Sequence, residues 1–262
     1  MRKIIFFDID GTISIEETGE IPKSAVTAIR KARENGHLAF INSGRTLSSI
    51  EEKYKQIGFD GYVCGCGTDI YEGYNNIFRY SVPEEVCKNV IKKARETKVT
   101  AVYESAVAVY YDPEVPKHSV VEELKNKAGD GWKVLGTDTD ELFCEFEKFC
   151  IWLTEEADYE AFYNAVGDYF EFINRGGGMY EIMPKDVSKA TGIQFLLDYY
   201  GIPLEHCFAI GDSTNDLPML QYVPNSIAMG NAMEEILPYC AYQTANIEDD
   251  GLLKALKYYK IV

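Results

Sequence analysis

Residues 4–12 have the sequence Ile4-Ile5-Phe6-Phe7-Asp8-Ile9-Asp10-Gly11-Thr12, in which an apolar run ends in two carboxylates one residue apart. Four large apolar residues are too few for a helix and indicate a buried parallel strand that is covered on both faces. Side chains alternate along a strand, so Asp8 and Asp10 leave its carboxyl end in the same direction. Open α/β sheets bind their ligands at that end, and two close carboxylates need a shared cation or a proton. The stretch therefore predicts a functional site on a parallel sheet, although Asp-Gly by itself is a common turn signal.

The bulk composition restricts the class of protein. The chain has 262 residues, of which 46% are hydrophobic and 26% charged, as expected of one large or two modest globular domains. Its net charge of −16 argues against nucleic acid or an anionic membrane as partner, but a bound divalent cation would still admit a small phosphorylated substrate. No apolar run approaches the ~18–20 residues that span a bilayer, and the apolar stretch behind Arg2 and Lys3 is too short for a secretion signal. We therefore expect a cytoplasmic protein that binds neither nucleic acid nor membrane.

The seven cysteines indicate free thiols. Their number is odd and most lie beside apolar residues, which suits buried thiols in a reducing compartment. Cys64 and Cys66 form a C-x-C pair, but no second Cys or His pair follows at the spacing of a zinc finger, so a structural zinc site is not expected. The three histidines lie outside every motif and receive no catalytic role, and no sequence feature specifies an oligomeric state.

The first 80 or so residues alternate between strand and helix patterns. Strands are predicted around residues 4–7, 38–41 and 62–64, with helices over 23–35 and from Thr46. This βαβαβ order predicts an α/β fold with a doubly wound, Rossmann-like parallel sheet.

The pattern changes between about residues 82 and 185. Ser81-x-x-Glu84 matches a capping box that would open a helix. Strand-like segments follow, including one near residues 144–153, and a further helix is predicted from Thr154. The mixture predicts an inserted α+β domain with a largely antiparallel sheet.

From Ser188 the alternating pattern resumes. A helix is predicted to end at Tyr200, and strands are predicted at residues 207–210 and 226–229. We therefore expect a core domain formed by residues 1–81 and 186–262, interrupted by a domain of residues 82–185.

Polar side chains cluster at the predicted strand ends of the core. The clusters are Asp8 with Asp10 and Thr12, Ser43-Gly44-Arg45, Lys189, and Asp212 with Asn215 and Asp216. Each has a structural explanation by itself, because serine-glycine forms turns, lysine is usually exposed on helices, and Asp or Asn caps helices. Their joint occurrence at strand ends predicts one shared site.

These clusters match the four motifs of the haloacid dehalogenase superfamily of phosphatases. Residues 8–12 fit D-x-D-G-T, and Gly211-Asp212-Ser213-Thr214-Asn215-Asp216 fits G-D-x-x-N-D. The insert falls between Ser43 and Lys189, where the type II caps of the superfamily lie. Its mixed order and the passage over residues 181–189 resemble the Cof-type branch with a type IIB cap. The resemblance implies a Rossmann-like core with an inserted cap that selects the substrate.

The resemblance also implies a phosphomonoester hydrolase for small phosphorylated metabolites such as sugar phosphates. Asp8 would attack phosphorus and form an aspartyl-phosphate, while Asp10 would act as acid and then as base. Lys189 would be the third catalytic residue. The phosphoryl oxygens would be bound by the Ile9 and Gly44 amides, Ser43, Lys189 and Asn215.

A magnesium ion is the cofactor that the resemblance implies. It would be held by Asp8, by the backbone carbonyl of Asp10 and by Asp212. Asp216 would orient a metal-bound water or the catalytic lysine from outside this ligand set, and Thr12 would support the Asp10 loop.

Several residues allow more than one interpretation. Lys189 is followed by Ala190-Thr191-Gly192, where the family often has glycine directly, which we expect to affect only helix packing. Cys66 occupies the place of an asparagine that faces the active site in many relatives; we favour a small buried residue over a lost substrate contact. Arg45 could contact the substrate or pair with a carboxylate. Gly176-Gly177-Gly178 could be a cap hairpin that faces the site or simply a mobile loop.

Two other functions are compatible with the motifs. Phosphomannomutases resemble this cap type and share the aspartyl-phosphate, so a phosphomutase would return the phosphoryl group to a sugar and not to water. A catalytically silent metabolite sensor would tolerate loss of Asp8, Asp10 or Lys189, yet all three are present.

Overall fold

The computed structural model describes residues 1–136 and 145–262, which form two compact units. The core unit consists of Met1–Arg79 and Val187–Val262, and the inserted unit consists of Tyr80–Asp186. The roles expected of them, catalysis for the core and substrate selection for the insert, stay predictions.

The described elements follow one another in a fixed order along the chain. The strands are β1 (Ile4–Phe7), β2 (Leu38–Asn42), β3 (Gly61–Cys64), β4 (Asp69–Glu72), β5 (Asn75–Arg79), β6 (Thr100–Glu104), β7 (Val109–Tyr111), β8 (Trp132–Val134), β9 (Lys148–Trp152), β10 (Phe170–Gly176), β11 (Met179–Pro184), β12 (Cys207–Gly211), β13 (Asn225–Ala228) and β14 (Tyr242–Gln243). The helices are α1 (Lys23–Glu34), α2 (Glu52–Lys55), α3 (Glu84–Glu96), α4 (Ser119–Ala128), α5 (Tyr159–Val166), α6 (Lys189–Tyr200), α7 (Leu217–Tyr222) and α8 (Gly251–Tyr258). Every helix in the two described ranges is too short or too polar to cross a membrane.

Eight strands form the sheet of the core unit, in the order β14-β13-β12-β1-β2-β3-β4-β5. The strands from β14 to β3 are parallel, whereas β4 and β5 add an antiparallel hairpin at one edge. Ile5 and Phe7 pack with buried side chains of α1 and α8, whereas Ile4 and Phe6 pack with those of α6 and α7. Because helices cover both faces, β1 is apolar throughout. The predicted doubly wound α/β core is confirmed.

Six strands form the sheet of the inserted unit, in the order β10-β11-β9-β6-β7-β8. All neighbouring pairs are antiparallel except β7 and β8. One face packs Tyr103 and Phe149 against α3 and α5, and the other packs Val102 and Trp152 against Val121 of α4. The predicted α+β insert with a largely antiparallel sheet is confirmed. The three glycines at 176–178 form the tip between β10 and β11, all with positive φ.

Three predicted helix starts are wrong. The helix expected from Thr46 is a 3₁₀ turn followed by α2, because Ile50 and Glu51 have extended backbone. The capping box at Ser81 does not form, since α3 begins only after Pro83. A residue before proline avoids the helical region, so the helix cannot begin earlier.

The helix expected from Thr154 begins at Tyr159 instead. The amide of Leu153 still donates to the carbonyl of Gly178 at 3.0 Å, which keeps the chain extended beside β11. Asp158 then caps α5 by accepting a hydrogen bond from the amide of Ala161 at 3.0 Å. The strand expected over 144–153 is β9, and Cys144 lies outside the described residues. The hairpin of β4 and β5 and the short strands β8 and β14 were not predicted.

Candidate active site

The predicted site residues of the core unit lie where β1, β2, β12 and α6 meet. Because β2 and β12 flank β1 in parallel register, the residues that follow these strands emerge at one edge of the sheet. Asp8 follows β1, Ser43 follows β2 and Asp212 follows β12, whereas Lys189 is the first residue of α6. All four side chains belong to buried residues.

A buried lysine joins two of the aspartates. The Lys189 Nζ lies 2.5 Å from Oδ1 of Asp8 and 2.6 Å from Oδ1 of Asp216. Lys189 is only 1% exposed. Burial alone would lower the pKa of Lys189, but the carboxylates of Asp216 and Asp8 outweigh it and raise the pKa above its usual range. The ammonium group is therefore a permanent positive charge at the edge of the sheet.

The site holds more negative than positive charge. Carboxylate oxygens of Asp8, Asp212 and Asp216 lie within 4.8 Å of one another, and Lys189 supplies the positive charge beside them. Burial and the neighbouring carboxylates raise the pKa of Asp8 above its usual range and that of Asp212 to about 8. A divalent cation would remove this repulsion, and oxygen donors of this kind suit Mg²⁺. The residues present thus fit a magnesium ion.

Asp216 organises the loop that carries Asp212. Its Oδ2 accepts hydrogen bonds from the backbone amides of Asp212 at 3.0 Å and Ser213 at 3.2 Å, while Oδ1 accepts from Lys189. With both oxygens engaged, Asp216 is suited to orient its neighbours, as expected for a residue outside the ligand set.

Gly11 lies against Asp212 so closely that a side chain would not fit. Its φ is +75°, and a Cβ placed on it would lie 2.2 Å from Oδ2 of Asp212. The carbonyl of Gly11 accepts a hydrogen bond from Nδ2 of Asn231 at 2.8 Å, and Oδ1 of Asn231 accepts one from the amide of Ile247 at 3.1 Å. Sequence reasoning missed Asn231. Asn231 lies soon after the end of β13. The criterion that selected the other site residues, a polar side chain after a predicted strand, could therefore have identified it.

Arg45 pairs with the predicted acid–base residue. Its Nη2 lies 2.8 Å from Oδ1 of Asp10 and its Nε 3.2 Å from Oδ2. The guanidinium also lies over the ring of Tyr54, 5.6 Å from the centroid, and contacts Glu51 at 3.4 Å. Of the two roles left open for Arg45, the structure contains the carboxylate pairing. The Asp10 side chain is 46% exposed, in contrast to the buried Asp8.

The predicted phosphate-binding residues lie in the loops around this cluster. The Ser43 hydroxyl is buried and accepts a hydrogen bond from the amide of Arg45 at 3.2 Å. Oδ1 of Asn215 accepts one from the hydroxyl of Ser213, and the Thr12 hydroxyl lies 3.4 Å from Oδ1 of Asp212. Contact with phosphate stays a prediction for the whole set, namely Ile9, Ser43, Gly44, Lys189 and Asn215.

Cys66 has the left-handed backbone conformation, with φ 56° and ψ 33°. Its amide donates to the carbonyl of Ser43 at 3.0 Å, and the residue is 4% exposed. Asparagine tolerates this conformation better than most side chains. The interpretation as a small buried residue agrees with this burial.

Comparison with known proteins identifies the family. The sequence model of haloacid dehalogenase-like hydrolases matches residues 5–256. The Bacillus subtilis protein YkrA, named as a phosphatase without a stated substrate, is 28% identical over 97% of this chain and 96% of its own length. The 5-amino-6-(5-phospho-D-ribitylamino)uracil phosphatase YitU of Bacillus subtilis is 26% identical over 98% of this chain and 97% of its own length.

A solved structure supports the same conclusion. The haloacid dehalogenase subclass IIB sugar phosphatase BT4131 is 26% identical to this chain, with a TM-score of 0.81 over 99% of this chain and 100% of its own. Since the family model and these relatives span nearly all of the chain, it belongs to the haloacid dehalogenase-like hydrolases and is a phosphatase of the Cof type.

Proposed function

We propose that this phosphatase is a Mg²⁺-dependent phosphomonoester hydrolase that forms an aspartyl-phosphate on Asp8. The observation that carries the proposal is the buried contact of Lys189 with Asp8 and Asp216, next to Asp212. The Asp8 carboxylate lies beside the positive charge of Lys189 and beside carboxylates that can bind a cation. Positive charge at this place would allow Asp8 to attack a phosphate group, which is itself negatively charged.

The first step transfers the phosphoryl group to Asp8. A carboxylate oxygen of Asp8 forms a bond to phosphorus while the bond from phosphorus to the ester oxygen breaks. Asp10 gives its proton to the departing oxygen, which leaves as an alcohol. Lys189, Ser43 and Asn215, with the amides of Ile9 and Gly44, would hold the phosphoryl oxygens as their charge changes.

The second step returns Asp8 to its starting state. Asp10, now ionised, takes a proton from a water molecule whose oxygen attacks phosphorus. The bond between phosphorus and the Asp8 oxygen breaks, which releases inorganic phosphate and restores the carboxylate. General acid–base help of this kind typically contributes about 10²–10⁴-fold.

Arg45 restricts when Asp10 can act. In the structure both carboxylate oxygens of Asp10 accept hydrogen bonds from the guanidinium of Arg45. Asp10 reaches a leaving oxygen most readily when it turns away from Arg45 and gives up one of these bonds. We infer that substrate binding rearranges the pair.

The magnesium ion would be held by Asp8, by the Asp10 backbone carbonyl and by Asp212. When bound, it neutralises carboxylate repulsion and polarises a phosphoryl oxygen. The raised pKa of Asp212, about 8, supports the need for a cation at this place.

Small phosphorylated metabolites of the sugar-phosphate class are the proposed substrates. Two relatives support this class by name, one as a sugar phosphatase and one as a phosphatase for a phosphoribityl compound. The inserted unit would select the alcohol part, because the groups named above recognise only the phosphate.

A turnover assay with hexose 1-phosphate, followed by phosphorus NMR, tests the reaction. We expect free phosphate with Mg²⁺ and none with excess EDTA. Hexose 6-phosphate with negligible free phosphate would instead identify a mutase, and no turnover of any phosphate ester would overturn the proposal.

The matched variants Asp8→Asn and Asp69→Asn test the nucleophile. Both residues are buried aspartates of the core unit, but Asp69 binds Arg79 and lies outside the site. We expect Asp8→Asn to fold and to lose turnover. With a ³²P-labelled substrate, Asp8→Asn should form no acid-stable phosphoprotein. Asp69→Asn should retain both turnover and the labelled phosphoprotein. Turnover by Asp8→Asn would exclude the covalent mechanism.

A further inference from the structure

Asn42 is a buried amide in an otherwise apolar strand. It is the last residue of β2, whose other four residues are Leu38, Ala39, Phe40 and Ile41, and it is 0% exposed. Its Nδ2 donates to the backbone carbonyl of Lys189 at 3.0 Å and contacts Sδ of Met219 at 3.6 Å. Its Oδ1 has no hydrogen-bond partner within residues 1–136 and 145–262.

Stability does not explain an asparagine at this position. A buried acceptor without a partner costs free energy, and an apolar residue of the same size would avoid that cost. Central parallel strands covered on both faces are ordinarily continuous apolar runs. What Asn42 supplies and an apolar residue could not is the hydrogen bond from its Nδ2 to the backbone carbonyl of Lys189.

The first turn of α6 is fixed tightly against the sheet. A Cβ on Gly67 would lie 2.3 Å from the carbonyl oxygen of Ser188, and one on Gly192 would lie 2.5 Å from Cγ1 of Val63. The hydrogen bond from Asn42 adds a polar attachment at Lys189, which lies between Ser188 and Gly192 in the chain. Because Lys189 is the first residue of α6, the position of α6 along the strands sets the position of the Lys189 Cα, from which its side chain extends.

We propose that Asn42 is a positioning residue for the catalytic lysine. Its amide anchors the Lys189 carbonyl to the end of β2, and this anchor directs the ammonium between Asp8 and Asp216. The inference rests on the proposed function, in which that ammonium binds phosphoryl oxygens. If the Lys189 ammonium moved by a fraction of an ångström, phosphoryl transfer would slow, although the substrate would still bind.

The variant Asn42→Leu tests this role because it removes both the donor and the unpaired acceptor. With p-nitrophenyl phosphate and Mg²⁺ as probe, we expect kcat to fall about 10-fold or more, since a misplacement of about 1 Å can cost about 100-fold. We expect KM to change little and the melting temperature to stay the same or rise. A purely structural role predicts the opposite, a lower melting temperature with normal kcat for the folded protein.

Two further variants complete the experiment. Asn42→Ala removes the amide donor with a smaller side chain, and we expect it to lose kcat even if Asn42→Leu does not fold. Met219→Leu removes the other partner of Nδ2 with little change in volume, and we expect it to retain kcat. Folded Asn42 variants with kcat within about twofold of the parent would overturn the proposal.

A crystal structure of Asn42→Leu separates this inference from the proposed function. We expect the Lys189 Nζ to lose at least one of its contacts with Asp8 and Asp216. If both contacts persist, Asn42 does not position the lysine, whatever reaction the protein catalyses. If the parent protein hydrolyses no phosphate ester while the contacts shift, the proposed function fails and the positioning role holds.

Discussion

Replacing Gly11 by alanine adds one methyl group beside the predicted metal ligand Asp212. At φ +75° the added Cβ would lie 2.2 Å from Oδ2 and 2.5 Å from Cγ of Asp212. Non-bonded carbon contacts settle at about 3.5–4.0 Å, so the carboxylate has to move by about 1 Å or more. The left-handed backbone adds a separate cost of about 1–2 kcal/mol for any residue with a Cβ. Gly11→Ala therefore carries a stability cost and a displacement of Asp212.

Gly201→Ala is the control that carries only the backbone cost. Gly201 ends α6 with φ +62° and ψ 36°, and among the described residues nothing lies within 4 Å of the place that an added methyl group would take. We expect Gly201→Ala to lose about 1–2 kcal/mol of unfolding free energy in EDTA, and Gly11→Ala to lose at least as much. Only Gly11→Ala should need more Mg²⁺ for half-maximal activity, with a kcat lower by up to about 100-fold.

Two measurements separate these effects. Urea unfolding in EDTA reports the backbone cost, and the initial rate against Mg²⁺ concentration reports the position of Asp212. If Gly11→Ala and Gly201→Ala have the same magnesium dependence and the same kcat, the close approach of Gly11 to Asp212 has no bearing on metal binding, and our reasoning is refuted.

Two other perturbations follow from the charges of the structure. Burial raises the pKa of Asp8, and that of Asp212 to about 8, so the folded metal-free protein retains protons that the unfolded chain releases above about pH 4. Its stability should fall as pH rises from about 4 to about 8, and Mg²⁺ should raise the melting temperature more at pH 8 than at pH 5; equal shifts would contradict this. In the inserted unit, Lys148→Met should cost about 1–3 kcal/mol, because Lys148 is 4% exposed and its loss removes the 2.5 Å contact with the buried Glu181 carboxylate, which keeps its pairing with Arg175. The exposed Lys127→Met should change the urea midpoint far less, and a similar midpoint for both variants would argue against a buried ion pair.

The local signals of the sequence predicted the core well. Apolar runs located β1, β2, β3 and β12 within a residue or two, because such runs depend only on neighbouring side chains. The helix starts at Thr46, Ser81 and Thr154 were wrong for reasons outside helical periodicity. Extended backbone, a proline and a hydrogen bond to the Gly178 carbonyl decided them.

The meeting of the site residues could also be anticipated. Parallel neighbouring strands end at the same edge, so polar residues after β1, β2 and β12 had to approach one another. Sequence could not say that Arg45 pairs with Asp10, because that depends on how the loop after β2 turns toward the loop after β1. It could not distinguish the contact of Gly11 with Asp212 from an ordinary turn glycine.

The amino-acid sequence by itself determined the alternation of strands and helices in the core, the split of the core by an insert and the residue types at the ends of β1, β2 and β12, since these follow from hydrophobic pattern and motif. Only the tertiary structure decided which of those residues share hydrogen bonds. Asn42 was one polar residue at the end of a strand until α6 placed the Lys189 carbonyl 3.0 Å from its amide. The physical reason is distance along the chain: 147 residues separate the two, and contacts at such separation depend on packing rather than on any local pattern.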